Sequence, residues 1–139
     1  MMASEKLFEK KVEKHLHSIG VYQAGTPSHR MKTVQIGWFT KIWGGGYQKS
    51  GIPDLLCCVN GFFVSIELKA SNGRPSDLQK MNTARINQSN GIGIVLYPEG
   101  FESFKELMKG VITCKHHIRE LNSMKDALTG TGCAILMTY

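Results

Sequence analysis

Two acids and a lysine in one short stretch carry the most chemistry in this chain. In SGIPDLLCCVNGFFVSIELK, residues 50–69, Asp54 lies near one end, and Glu67 and Lys69 lie at the other. Between them sits Asn60-Gly61, flanked by strand-forming runs, the pattern of a two-residue type I′ hairpin. Such a turn pairs Val59 with Phe62. The register then places Cys58 opposite Phe63, Leu56 opposite Ser65 and Asp54 opposite Glu67. Directly opposed residues have Cβ atoms about 4.5–5.5 Å apart, and like charges so placed are destabilising. Two readings answer this. A divalent cation sits between Asp54 and Glu67 with Lys69 beside it, or the hairpin end frays, both acids are solvated, and Lys69 neutralises one of them.

The first reading equips the chain for phosphodiester hydrolysis. A hard cation such as Mg²⁺, with Mn²⁺ able to substitute, takes oxygen ligands and keeps several waters. Asp54 and Glu67 would supply two oxygens, and the backbone carbonyl of Leu68 a third if the strand end turns it inward. The metal polarises a phosphate oxygen and acidifies a bound water. Lys69 would position that water or offset charge building on the transition state.

The hairpin itself must be held by a core. Leu55, Cys57, Val59, Phe62, Val64, Ile66 and Leu68 form one unbroken apolar face, while Asp54, Leu56, Cys58, Phe63, Ser65, Glu67 and Lys69 share the other. Ahead of it, a helix over residues 4–19 is expected, capped by Ser4 and ended by Gly20. Phe8, Val12, Leu16 and Ile19 form its buried stripe, which Leu7 widens. Glu9 and Glu13 stand on a neighbouring face among lysines. They read as a solvated, salt-bridged face, or else Glu9, next to the apolar stripe, borders the active site.

A short strand from Val21 and then a loop around Thr26-Pro27-Ser28 follow. TVQIGWFTKIW, residues 33–43, suits one strand or a bent pair, with Gly37 as a bulge or kink. The next segment, through Ser50, holds Lys41, Trp43, Tyr47, Lys49 and three glycines. It can bring backbone N–H groups and cations close to phosphates, or it is a plain flexible connection. Beyond the hairpin, Ser76 and Gln79 make a capping box for a helix with a weak apolar stripe at Leu78, Met81 and Ile86. The strand IGIVLY, residues 92–97, is wholly apolar and expected to be covered on both faces. An amphipathic helix over residues 101–113 comes next. A further helix over residues 116–128 and a strand over 133–138 complete the expected elements. The pattern is an α/β sandwich, a mixed central sheet with helices on its faces.

The 139 residues suit a single domain, and 42% hydrophobic with 20% charged residues is an ordinary globular balance. A net charge of +6 and a pI near 9.2 favour a polyanionic partner. No apolar run approaches the ~18 residues of a spanning helix. The first fourteen residues are charged and lack the apolar core of a signal peptide. Without an export signal the four cysteines are expected to be thiols, and the setting cytoplasmic.

With these residues in place the chain resembles a known family. GIPD followed by ELK is the PD…ExK signature of the PD-(D/E)xK nucleases. More narrowly, FEKKV, KIWGGGYQKSGIPDLL, the Asn-Gly hairpin, IELKASNGRPSDLQ and GIGIVLYPEGF resemble the VRR-NUC (virus-type replication-repair nuclease) domain in its stand-alone, phage-like form. PD…ExK alone is a weak pattern; the ordered set, over residues 4–108, is far more specific. The resemblance implies a restriction-endonuclease-like core and a metal-dependent, structure-selective DNA endonuclease. It implies Asp54 and Glu67 as metal-binding acids, Lys69 as the catalytic lysine and Glu9 as the first-helix glutamate completing the metal site. Gln79 is similar to the glutamine that follows the ExK strand in that family. Small members are often described as Holliday-junction resolvases and form homodimers, so branched or partly single-stranded DNA is the implied partner. Residues 25–39 are longer than in short members, and the extension over residues 115–139 has no counterpart.

Two rival classes are set against this. A non-catalytic nucleic-acid-binding module keeping the fold would be expected to have lost part of the signature, and all three residues are present. A zinc site from Cys114, His116, His117 and Cys133 matches no tetrahedral spacing, so buried thiols and surface imidazoles are the reading there. Within the enzyme class, Lys41, Tyr47, Lys49 and Ser50 are the expected DNA contacts, and Trp43 and Tyr47 could stack on unpaired bases.

Overall fold

The computed structural model describes residues 3–43, 50–115 and 123. The first helix, α1 (Ala3–Ser18), buries Phe8, Glu9, Val12 and Leu16. These recur at helical spacing and make the inward stripe. Two expectations fail here. Ser4 lies inside the helix rather than capping it, and Leu7 is 71% exposed, so it does not widen the stripe. Leu7 stands one residue off the buried line, and one residue turns a side chain by about 100°.

Among the described residues the sheet has five strands in the order β1 (Val21–Gln23), β2 (Gly37–Lys41), β3 (Leu55–Val59), β4 (Phe62–Leu68) and β5 (Ile92–Leu96). β1 runs parallel to β2, β2 to β4 alternate antiparallel, and β5 is parallel to β4. The parallel β4–β5 pair needs a crossover, which α2 (Asp77–Gln88) supplies. α3 (Phe101–Thr113) follows a short turn of 3₁₀ helix at Pro98–Gly100.

The central hairpin has the expected register: Val59 pairs with Phe62, Cys58 with Phe63, Cys57 with Val64 and Leu56 with Ser65. Asn60 and Gly61 have φ of 51° and 83°, the doubly left-handed pair of a type I′ turn. On the inner face, Leu55, Cys57, Val59, Val64, Ile66 and Leu68 are buried with Phe8, Leu16, Phe39, Phe104 and Met108 in one core. Phe62 is partly buried against it. α2 packs on β4 and β5 from the outer side. It is a thin cover, since none of its residues is buried.

β2 is shorter than the apolar run suggested. Residues 33–36 lie outside it, and Gly37 is its regular first residue rather than a bulge. A Cβ there would stand 2.7 Å from the Cys58 carbonyl, so close packing accounts for the glycine. Among the described strands β5 lies at an edge, with Ile92, Ile94 and Val95 only partly buried, and its two faces are not fully covered as expected. The expected helix over 116–128, the strand over 133–138, and His116, His117 and Cys133 lie outside the described residues. Among the described residues, no helix is long and apolar enough to cross a membrane.

Candidate active site

Asp54 reaches its place through the turn before β3. Gly51 has φ 84°, and a Cβ there would fall 2.5 Å from Cγ of Leu78. Nδ2 of Asn82 donates to the Gly51 carbonyl at 2.8 Å. The turn is thus clamped against α2, and only glycine fits at that contact. The β2–β3 ladder continues past the strand ends, with Ile42 N–H donating to the Asp54 carbonyl at 2.8 Å. The Asp54 side chain crosses to β4, where Oδ2 accepts the Leu68 N–H at 2.7 Å. The Leu68 backbone therefore meets Asp54 through its N–H.

Glu67 is the most constrained acid of the site. It is 2% exposed, and its Oε1 accepts from Nε2 of Gln79 and lies 3.3 Å from Nζ of Lys69. Its Oε2 is buried without a hydrogen-bond partner among the described residues. Burial first, and the nearby Asp54 charge second, push its carboxyl up to about 7, against a weaker downward pull from Lys69. Asp54 is also raised, by burial above all, although the Leu68 N–H pulls it down. Two acids held above their ordinary range by burial, the Asp54 charge adding to the rise at Glu67, and one with an orphaned oxygen, suit a bound cation.

Gln79 serves two partners at once. Its Oε1 accepts the Ser76 N–H at 2.8 Å, and Ser76 Oγ accepts the Gln79 N–H at 3.2 Å, which completes the capping box. Its Nε2 remains to hold Glu67. The two roles weighed from sequence are compatible.

Among the described residues, no three His, Cys, Asp or Glu side chains gather closely enough to hold a metal by themselves. Asp54 and Glu67 could hold Mg²⁺, which usually takes one or two carboxylates together with water and substrate phosphates. Glu9 is buried beside this pair and raises Asp54. Its carboxylate is ion-paired with Nζ of Lys41, which also lies 3.2 Å from Glu13. Burial opposes the Lys41 charge, but the two glutamates outweigh it and raise the ammonium above its usual range.

Glu5 was not singled out from sequence. One helical turn before Glu9, it raises both Asp54 and Glu67, whereas Glu9 acts on Asp54. The i, i+4 spacing to Glu9 was the available signal.

Of the expected DNA-contacting residues, Lys41 and Ser50 are described. Lys41 is committed to Glu9 and Glu13, and its Nζ stands 4.6 Å from the Trp43 ring centre. Trp43 is 69% exposed. Ser50 is exposed in the turn leading to Gly51. Tyr47 and Lys49 lie outside the described residues. Comparison with family models, curated proteins and solved structures returns no match.

Proposed function

We propose that this chain is a divalent-metal-dependent nuclease that hydrolyses phosphodiester bonds in branched or partly single-stranded DNA. The observation that carries the reading is the convergence of Asp54 and Glu67 at the end of the β3–β4 hairpin, with Lys69 and Gln79 both on Glu67. The resemblance to VRR-NUC domains agrees with it. So does the order α1, β1, β2, β3, β4, α2, β5, which supports a restriction-endonuclease-like core with β1 added beside β2.

Asp54 and Glu67 would hold the cation. When bound, it supplies polarisation of a phosphate oxygen and a water acidic enough to attack near neutral pH. The chain's own groups prepare that reaction. Gln79 fixes the orientation of Glu67, and the Leu68 N–H fixes Asp54, so neither acid must reorganise during the step. Lys69 keeps a positive charge beside Glu67 for the negative charge that builds on the phosphate. The basic balance of the chain draws the polyanion. Junction resolution requires two symmetric cuts, which fits a two-fold dimer.

The deciding experiment is cleavage of a labelled four-way junction, a flap and a plain duplex, each with Mg²⁺, Mn²⁺ or chelator. Asp54→Asn is the control. Paired nicks on the junction alone, lost in chelator and in the variant, establish a resolvase. Cutting of the flap or of all three keeps the nuclease and removes the resolvase label. Binding without metal-dependent cutting leaves a non-catalytic nucleic-acid-binding module.

A further inference from the structure

A second feature lies beside the carboxylates on the outer face of the hairpin. Between that face and α2 runs a cavity of about 870 Å³, within the range of small-molecule sites. Ile52, Leu56 and Phe63 give it an apolar floor, and Asn82, Arg85 and Asn90 line it from α2 and the turn that ends it. Phe63 is 45% exposed on the turn end of an interior strand, one position before β5 begins to pair with it. Arg85 is exposed and makes no ion pair with a carboxylate among the described residues. Asn82 spends one N–H on the Gly51 carbonyl and keeps its other polar capacity.

We propose that this cavity binds an unpaired nucleobase next to the cleaved bond, stacked on Phe63 and bonded at its edge by Asn82, Asn90 and Arg85. The proposal rests on the nuclease reading and names the substrate feature that the same face would recognise. Leu56 stands two residues from Asp54, about 7 Å along the strand, so the cavity opens beside the acids. An exposed aromatic with amide and guanidinium groups around it is the equipment by which proteins take up a splayed base. A base inside a duplex reaches such a site only after unstacking, which costs energy and favours unpaired nucleotides. A peptide strand is less suited, because the floor is made by β3 and β4. Both are interior strands with their backbone groups already paired.

The test measures binding in chelator, so that no cleavage is involved. One probe is a duplex with a single bulged fluorescent aminopurine, and the other is the same duplex with the aminopurine paired. The parent protein should quench the bulged probe and bind it more tightly. Phe63→Ala should abolish the quenching and weaken bulge binding about tenfold, the order expected for loss of one base–aromatic stack. Phe63→Tyr should restore both. Should Phe63→Ala fail to fold, Arg85→Ala, on the exposed side of a helix, should lower bulge binding selectively. Equal binding of both probes by parent and Phe63→Ala overturns the base site and leaves the nuclease reading standing. A parent that binds neither DNA in chelator overturns the base site, and failure to cleave any of the three DNAs with Mg²⁺ or Mn²⁺ separately overturns the nuclease reading. A change in oligomeric state with Phe63→Ala, at unchanged bulge affinity, makes the cavity an interface between copies and also overturns it.

Discussion

Gln79 holds Glu67 with the nitrogen of its side-chain amide while the oxygen of the same amide caps α2 at Ser76. The start of the helix and the orientation of the buried acid are therefore set by one side chain. Gln79→Ala should remove both contacts and cost about 1–2 kcal/mol. Gln79→Glu keeps an acceptor for the cap but sets a third carboxylate against Glu67 and Asp54. Its unfolding midpoint should match the parent near pH 5 and fall below it near pH 8. Equal midpoints at both pH values would show that residue 79 does not touch Glu67 in solution.

Glu67 makes the metal-free protein sensitive to pH. Its carboxyl sits at about 7 in the fold, above its ordinary value of 4.5. The folded chain thus binds the proton more tightly than the unfolded one. Stability from this group is greatest in acid, declines as pH rises from 4.5, and the penalty is complete above 7. In chelator, Glu67→Gln should be more stable than the parent by about 1–3 kcal/mol near pH 8 and close to it near pH 4. Mg²⁺ should raise the parent's melting temperature near pH 8 and leave the variant unmoved. Thermal unfolding across pH, with and without the ion, checks both statements.

Much of this arrangement was legible because the hairpin is local. Asn60-Gly61 dictates the turn, the turn dictates the register, and the register places Glu67 on the outer face with Phe63 and Ser65. What escaped depends on contacts distant in sequence. Lys41 looked free for phosphate, yet it meets Glu9 and Glu13 from an element far along the chain. Glu5 carries no motif of its own, and only the packing of α1 brings its charge to bear on the acids. The start of β2 differs from the sequence expectation because residues 33–36 carry strand-forming side chains, while residue pairing in the sheet begins at Gly37, preceded only by the backbone bonds of Ile36 to Gly20 and Asn60. Propensity marks what can be a strand, and pairing decides where it begins.

The Lys41 cluster carries its own expectation. Nζ of Lys41 is largely shielded from water, as is the Glu9 carboxylate it meets. Lys41→Met would leave Glu9 buried without a cation, at a cost of about 3 kcal/mol. Glu9→Gln should cost less, because Glu13 still faces Lys41 at 3.2 Å. Combining the two changes should recover most of the loss seen in Lys41→Met. Urea unfolding of the three variants measures this, and a Lys41→Met protein as stable as the parent would mean that the pair is solvated.

Asn60 does more than turn the hairpin. Its Nδ2 donates to the carbonyls of Val111, Ile112 and Cys114, at 2.8, 3.2 and 3.0 Å, and so ties the end of α3 to the turn. Helix ends leave carbonyls without internal partners, and these three find one donor group from another element. The two roles separate by substitution. Asn60→Gly keeps the left-handed backbone but loses the donor, and should cost about 1–2 kcal/mol. Asn60→Asp also tolerates that backbone, yet it replaces the donor with a carboxylate facing three carbonyl oxygens. It should therefore be the more damaging change near pH 8 and recover partly in acid, as the carboxyl protonates and regains a hydrogen to donate. Denaturant unfolding near pH 8 and pH 4 separates the outcomes. If Asp is tolerated better than Gly near pH 8, the left-handed turn alone explains Asn60, and the link to α3 contributes nothing.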